Sequence, residues 1–218
     1  MGIVSSKIQT IQEYISNRNL KIPDFQRPYK WKSKNVLQLI DDISRFKSET
    51  PYRIGTIVIW KDKETDLLNI VDGQQRTITF LLLINAIVTH KKNDLSSELQ
   101  NELTELENVL FKPTFKNEIS KQNIQQNFYT ILQRNSTFDE SFIDFFLHKC
   151  EITCFVIDDI SEAFQFFDSQ NARGKDLEPH DLLKAFHLRE LHKSEPDLSE
   201  IEITKIVDSW ENCKFRTT

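Results

Sequence analysis

Glycine is the residue that this sequence lacks most. Only 4 of the 218 residues are glycine, whereas average usage is about 7%. A chain with so few glycines is expected to keep them where the backbone needs a positive φ or a close approach by another group. Gly2 is terminal, so Gly55, Gly73 and Gly174 mark the positions at which we look for a site.

Cysteines and long apolar runs are also scarce. Cys150, Cys154 and Cys213 form no Cys-x-x-Cys pair, which argues against a disulfide scaffold or a zinc site and favours reduced thiols. The longest apolar run covers residues 80–84, far short of the roughly 18 residues of a membrane span. The first residues do not predict a signal peptide. We therefore expect a cytoplasmic protein with no membrane partner.

Charge is distributed unevenly along the chain. The 28 Lys and Arg against 33 Asp and Glu give a net charge of −5, which argues against a protein that coats nucleic acid with its whole surface. Residues 18–34, here called the basic strip, nevertheless contain only one acid, Asp24. Their bases, which predict local contact with an anionic ligand, are Arg18, Lys21, Arg27, Lys30, Lys32 and Lys34.

The hydrophobic pattern predicts an α+β protein with a helical insertion. Behind Ser5 and Ser6, helical spacing is expected at Ile8, Ile11, Gln12 and Ile15, and Ser33 is expected to cap a second helix. The β-branched runs at residues 54–60 and 67–71 predict a hairpin, and residues 151–157 predict a later strand. Helices are expected at residues 77–90, 94–149 (several), 161–167, 179–191 and 201–210.

This pattern divides the chain into three parts. Residues 1–92 and 150–192 are expected to form a small mixed-sheet core, and residues 93–149 a helical insertion. Residues 193–218 are expected to form a C-terminal helix that can lead into a following domain.

The strand-to-helix segment at residues 69–79 carries the strongest signal for a site. A buried strand ends at Asp72, Gly73 turns the chain, and a helix follows. Helix N-termini bind anions through unpaired N–H groups, and an arginine adds a fork for phosphate. We expect phosphate contacts and catalysis from residues of this segment, with Asp72 placed to hold Mg²⁺ or orient a water: Asp72, Gly73, Gln74, Gln75, Arg76 and Thr77. The alternative is that Asp72 only caps the helix.

A proline-stiffened loop at residues 22–31 is the second candidate. Pro23 and Pro28 restrict the residues before them. Aromatic rings and bases there predict stacking on a nucleobase and contact with phosphate, so we expect DNA contacts from Gln26, Arg27, Tyr29, Lys30 and Lys32. The alternative is a rigid loop whose aromatic rings fill the core, and for Trp31 the two interpretations carry equal weight.

A third segment, at residues 166–185, repeats the pattern of a glycine turn beside an arginine. Its donors, which we expect to bind nucleotide, surround a turn before a helix: Asn171, Arg173, Gly174 and Lys175. Pro179 then stands where a helix accepts its first residue.

These segments, in this order, resemble the N-terminal domain of GmrSD-type restriction endonucleases, which has a ParB/sulfiredoxin-like fold. The family pattern is matched at Ile22, Pro23, residues 25–29, Trp31, Gly55, residues 72–76, Phe167, Asn171, Arg173, Gly174, Leu177, Asp181 and Lys184. The resemblance covers roughly residues 8–190, and Asp-Gly-Gln-Gln-Arg at residues 72–76 is its most specific part.

The resemblance implies an NTP-binding and NTP-hydrolysing sensor domain that powers or gates a nuclease against modified foreign DNA in antiphage defence. GmrSD nucleases cut with a separate His-Asn-His module, and the five histidines of this chain do not form that pattern. We therefore expect a separate nuclease domain or subunit of the HNH type. Two alternatives stay open: a non-hydrolysing nucleotide- or DNA-binding switch, and a ParB-like core that nicks DNA with Asp72 and a metal ion.

Overall fold

Five strands form one mixed sheet in the computed structural model, which describes residues 3–23, 26–47, 51–159 and 162–163. The strands are β1 (Ile3–Thr10), β2 (Leu20–Lys21), β3 (Tyr52–Lys61), β4 (Leu68–Asp72) and β5 (Cys150–Ile157), in the order β1-β5-β3-β4-β2. β1 runs antiparallel to β5 and β3 antiparallel to β4, whereas the β3–β5 and β2–β4 pairs are parallel. The predicted β3–β4 hairpin and the later strand are confirmed.

Six α-helices accompany the sheet within the described ranges. They are α1 (Ile11–Ile15), α2 (Ser33–Phe46), α3 (Gln74–His90), α4 (Ser97–Val109), α5 (Glu118–Gln133) and α6 (Glu140–Asp144), and a π-helical turn, Phe145–Lys149, leads into β5. The helical character predicted for residues 94–149 is confirmed. Helix α3 begins three residues earlier than predicted, directly after Gly73, and α2 takes Lys32 rather than Ser33 as its N-cap.

One face of the sheet carries the main core. Ile57 and Ile59 of β3, Ile70 of β4 and Ile152 of β5 pack with the buried residues of α1, α2 and α3 in one hydrophobic cluster. Side chains alternate between faces along a strand, so Val58, between Ile57 and Ile59, points to the opposite face, where it is also fully buried. The apolar character of α3 follows from this position, because it is covered on nearly all sides.

The prediction that a helix begins behind Ser5 and Ser6 is wrong about where the helix starts. Residues 3–10 form β1, which pairs along its length with β5, and the helix starts only at Ile11. Thr10 caps it: the Glu13 N–H donates to Thr10 Oγ1 and the Glu13 carboxylate accepts from the Thr10 N–H, each at 3.2 Å. This reciprocal pair is a capping box, and it fixes the change from strand to helix.

The α+β class and the mixed sheet with helices are confirmed. Among the helices of the described ranges, none combines the length and the apolar character needed to cross a membrane. The segment with Asn171, Arg173, Gly174 and Lys175 lies outside the described residues, as do the helices predicted at residues 179–191 and 201–210. The three-part division of the chain stays a prediction.

Candidate functional site

A tight left-handed turn joins β4 to α3. Gly73 has φ 92° and ψ 4° and is the N-cap of α3. A Cβ atom at Gly73 would lie 2.7 Å from Cγ1 of Ile57 on the neighbouring strand, so both the conformation and the space require glycine. The β3–β4 register shifts immediately before this turn, where Val58 pairs with Asp72 and Ile59 with Ile70. Such bulges bend a strand and are frequent beside active sites.

The first turn of α3 presents three backbone N–H groups without a protein partner in the described structure. The N–H of Thr77 donates to Gly73 O at 3.0 Å, as the first bond of the helix. The N–H of Gly73 donates to Asp72 Oδ1 at 2.7 Å. The N–H groups of Gln74, Gln75 and Arg76 remain, as helix geometry requires. Thr77, which we predicted as a further contact, uses its N–H inside the helix and its hydroxyl, at 2.9 Å, with Tyr14.

The N-cap residue of α3 is Gly73 rather than Asp72, and among the described residues no side-chain cap bond is made to the first turn. The Asp72 carboxylate instead holds the N–H of Gly73 and thereby fixes the turn itself. The carboxylate is half-buried at the end of β4, beside the partial positive charge that the N-terminus of α3 provides. Asp72 thus holds the turn through a bond to the N-cap residue, and its part in binding Mg²⁺ stays a prediction.

Arg76 lies across β3 at Gly55 and Thr56, beside a register shift between β3 and β5. Its Nη1 donates to Thr56 O at 2.9 Å, and its guanidinium would be 3.0 Å from a Cβ atom at residue 55. Gly55, with φ +144°, leaves the space that the guanidinium occupies. Guanidinium carries five N–H donors, so the single bond to Thr56 O leaves donors for an anion at the same turn.

Gln74 brings a buried acceptor to the start of α3. Its side chain is 6% exposed, and its Oε1 atom has no hydrogen-bond partner in the part of the chain that the structure describes. A buried acceptor without a partner costs on the order of 1–3 kcal/mol. Such a group is explained when a ligand donates to it.

Gln75 and Gln26 hold the proline-stiffened loop against this turn. Gln75 Oε1 accepts from the N–H groups of Lys30 and Trp31, at 2.8 and 3.1 Å, and its Nε2 donates to Pro28 O at 3.2 Å. Gln26 Nε2 donates to the carbonyls of Ile70 and Val71 on β4, at 2.9 Å each. Both amides are therefore engaged by backbone groups. The contact of residues 26–32, here called the anchored loop, with the β4–α3 turn was not foreseen from the sequence.

Tyr29 lies inside the protein, which corrects the stacking role that we predicted for it. Its side chain has no exposed surface, and its hydroxyl is bonded to Thr79 Oγ1 at 2.9 Å and accepts from Asn127 Nδ2 at 3.0 Å. Burial raises the pKa of Tyr29, although these two hydrogen bonds lower it in part. The ring is not available to a nucleobase in this conformation. Trp31 also packs against the core.

The other residues predicted to contact DNA differ in exposure. Lys30 has an exposed side chain, as has Lys34 of the basic strip, whereas Arg27 and Gln26 are half-buried. Lys32 is exposed but donates through Nζ to Asn123 Oδ1 of α5 at 2.8 Å. The basic strip thus contributes exposed cations beside the anchored loop, and one of them is tied to the helical insertion.

No group of three His, Cys, Asp or Glu side chains in the described ranges is arranged to hold a metal ion. Asp72 is the carboxylate that the β4–α3 turn itself supplies. Mg²⁺ is commonly bound by one or two carboxylates together with substrate phosphates and waters, so one aspartate fits a magnesium ion that arrives with a nucleotide.

Comparison with known protein families matches residues 9–188 to the family described as GmrSD restriction endonuclease, N-terminal domain. No curated protein matches the chain. The family match includes strands β2 to β5, the β4–α3 turn, the anchored loop and the helical insertion, and it begins near the end of β1. The chain therefore belongs to the GmrSD restriction endonuclease N-terminal domain family and is a restriction-system component.

Proposed function

We propose that this chain is the nucleotide-binding, NTP-hydrolysing sensor domain of a modification-dependent DNA restriction system that acts in antiphage defence. A nuclease domain or subunit of the HNH type, separate from this domain, cuts the DNA. The nucleotide phosphates lie at the β4–α3 turn, and the basic strip contacts DNA.

The observation that carries this proposal is the composition of the turn. Three open N–H groups, on Gln74, Gln75 and Arg76, stand beside a guanidinium with donors to spare. Nearby, Gln74 Oε1 is a buried acceptor without a partner among the described residues, and a water molecule bound beside the phosphates can donate to it. The dipole of α3, its open N–H groups and the guanidinium of Arg76 all favour binding of an anion at the start of this helix. Asn171, Arg173, Gly174 and Lys175 complete the proposed phosphate contacts.

Asp72 is the residue that we propose for Mg²⁺. The ion would neutralise the charge that develops on the phosphates and help to position the attacking water. Gln74 is the amide that remains to orient this water. We assign Gln75 a positioning role instead, because its side chain is held by the anchored loop.

The alternative function is a nucleotide-binding switch that does not hydrolyse. The observation that favours it is that few side chains at the turn are left for hydrolysis. The turn itself supplies one carboxylate, Asp72, and the side chains of Gln75 and Arg76 already bond to backbone groups. A binding switch needs the open N–H groups but not the carboxylate.

Asp72→Asn separates these two functions. Asparagine keeps an oxygen that can accept from the Gly73 N–H, so the turn and the melting temperature should be preserved. The carboxylate that a metal ion needs is lost, and hydrolysis should fall by on the order of 100-fold while nucleotide still binds. The measurement is NTP hydrolysis by the purified chain with and without DNA, with binding followed by calorimetry.

Asp66→Asn is the matched control, because Asp66 lies at the opposite end of the β3–β4 hairpin and is exposed. It should hydrolyse as the parent does. Full activity in Asp72→Asn would assign Asp72 to the scaffold, and binding without hydrolysis in the parent chain would establish the switch. Absence of nucleotide binding would overturn the proposal.

The DNA arm of the experiment uses the exposed cations. Lys30→Glu and Lys34→Glu should weaken DNA binding, whereas Lys63→Glu on the β3–β4 turn should not. Parent binding should also weaken as salt rises, because each neutralised phosphate releases counterions. A flat salt response would show that the basic strip is only a solvated surface.

A further inference from the structure

We propose that the helical insertion regulates the β4–α3 turn through the anchored loop, with Gln75 holding the loop on one side and α5 holding it on the other. The inference rests on the proposed nucleotide function, since it concerns what changes the affinity of that turn. It assigns positioning roles to Gln75, Ser120, Asn123 and Asn127.

Gln75 is the hold on the side of the turn. It belongs to the first turn of α3, and its amide satisfies the N–H groups of Lys30 and Trp31 and the carbonyl of Pro28. One side chain therefore fixes three backbone groups of a segment that forms neither helix nor strand. The backbone N–H of Gln75 is also one of the three groups open to a phosphate. Gln75 would therefore bind the phosphate through its backbone and the loop through its side chain.

The polar face of α5 is the hold on the side of the insertion. Ser120 Oγ accepts from the N–H of Tyr29 at 3.0 Å, Asn123 Nδ2 donates to Tyr29 O at 2.7 Å, and Asn127 Nδ2 donates to Trp31 O at 2.8 Å. All three side chains are buried. Together with Gln75 of α3, these side chains of α5 bond to the backbone of residues 28–31. The loop is therefore held by side chains of two helices.

A chain of hydrogen bonds runs through Tyr29 from one hold to the other. Asn127 Nδ2 donates to the Tyr29 hydroxyl, and Thr79 Oγ1 donates to Gln75 O at 2.8 Å. Because the single proton of the Thr79 hydroxyl is used there, the Tyr29 hydroxyl must donate to Thr79 Oγ1. This chain of hydrogen bonds therefore ends on the first turn of α3. We expect a displacement of Asn127 to weaken the bonds of Tyr29 and Thr79 that follow it.

Helix α5 borders an open pocket of the insertion. The pocket has a volume of about 370 Å³, is partly open to solvent, and is lined mainly by α3, the end of α4 and the segment at residues 110–115, with Ile124 of α5 in its wall. Side chains beside such a pocket have fewer packing partners than those in a close-packed interior. Asn127 Oδ1 is also buried without a partner among the described residues, which makes this contact less stable than a fully hydrogen-bonded one. An event at the insertion can therefore shift α5, and the loop follows.

The first test measures nucleotide affinity in variants of α5. Asn127→Asp is nearly isosteric and removes both donations, and Ser120→Ala is a milder change that should fold if Asn127→Asp does not. Both should change the affinity for nucleotide by about fivefold or more, the lower end of typical coupling between sites. Gln125→Ala, on the exposed face of the same helix, is the control and should match the parent.

The second test measures amide hydrogen exchange at residues 28–31. Nucleotide binding should alter exchange of the Tyr29, Lys30 and Trp31 amides in the parent chain. Gln75→Leu should abolish that response, whereas Gln75→Glu, which keeps the two acceptor positions, should retain part of it.

The outcomes separate the two proposals. Binding of nucleotide with an unchanged loop, or with equal affinity in Asn127→Asp, Ser120→Ala and the control, would overturn the inference and leave the proposed function intact. A variant that melts earlier but binds nucleotide as the parent does would assign α5 a merely structural role and also overturn it. Absence of nucleotide binding in the parent would overturn both.

Discussion

Gly73 combines two constraints that each exclude other residues. Its φ of 92° is unfavourable for any residue with a Cβ atom, and that atom would lie 2.7 Å from Cγ1 of Ile57. The scarcity of glycine in the sequence pointed to this position. It could not show that the neighbour is Ile57, because that contact depends on the pairing of β3 with β4.

Gly73→Ala should lower the free energy of unfolding by about 2–4 kcal/mol, the sum of backbone strain and overpacking. Urea unfolding followed by circular dichroism measures the change. Added to an Ile57→Ala background, the same substitution should cost less, because the overlap with Cγ1 is gone and only the strain in φ remains. Equal costs in both backgrounds would contradict the steric part of this explanation.

At the scale of elements, a histidine joins three helical segments of the insertion, and one of its carboxylate partners reaches helix α1 of the core. His148, in the π-helical turn, contacts Glu102 of α4 through Nε2 at 2.5 Å and Asp144 of α6 through Nδ1 at 2.9 Å. Glu102 also accepts from Gln12 of α1 at 2.6 Å. Partial burial lowers the pKa of His148, but the hydrogen bonds and charges of the two carboxylates outweigh it and raise the pKa above 6.5.

The stability of the chain should therefore depend on pH through His148. A raised pKa in the folded state gives a contribution that is complete below the unfolded pKa of about 6.5 and is lost as the pH rises through the folded pKa. The free energy of unfolding of the parent should exceed that of His148→Gln at low pH, and this difference should shrink by on the order of 1 kcal/mol as the pH rises. The change is small because His148 and its carboxylate partners are partly exposed. Urea unfolding between pH 6 and 9 measures it. His90→Gln is the control, because His90 lies against Phe128 rather than a carboxylate, and an equal pH dependence in both variants would contradict the assignment.

Strands formed from neighbouring segments were predicted from the sequence, whereas a strand with a distant partner was not. The hairpin of β3 and β4 was predictable because both strands are β-branched and adjacent in the chain. Strand β1 was missed because its partner, β5, is far away in sequence and Ile8 matched the helical spacing of Ile11 and Ile15. The capping box of Thr10 and Glu13 was the local signal that marks the true start of the helix.

The polar face of α5 also left a signal in the sequence. Ser120, Asn123, Asn127 and Thr130 recur at helical spacing beside the apolar stripe of the same helix, and buried polar stripes must bond to something. The partner of this stripe, the backbone of the anchored loop, lies about 90 residues earlier in the chain. Only the folded structure shows that Tyr29 is therefore a core residue rather than a surface for DNA.

At the scale of the whole molecule, the fold brings three sequence signals together. The β4–α3 turn, the anchored loop and the helical insertion are separate in the chain but joined by Gln75 and α5. The α+β class and the position of the turn followed from the sequence, because both depend on local patterns. The link between the insertion and the turn did not, because it consists of hydrogen bonds between distant segments.

The measurement that tests the central claim most directly is the response of the backbone amides at the turn to nucleotide. In a chain labelled with ¹⁵N at glutamine and arginine, addition of NTP with Mg²⁺ should shift the amide resonances of Gln74, Gln75 and Arg76, the three groups that the turn leaves open. The Gln125 and Arg45 amides, on α5 and at the end of α2, should not shift directly. Arg76→Ala should weaken the binding by about 1.5–3 kcal/mol through loss of a charged hydrogen bond. Saturable binding that leaves the amides of Gln74, Gln75 and Arg76 unshifted would contradict the account.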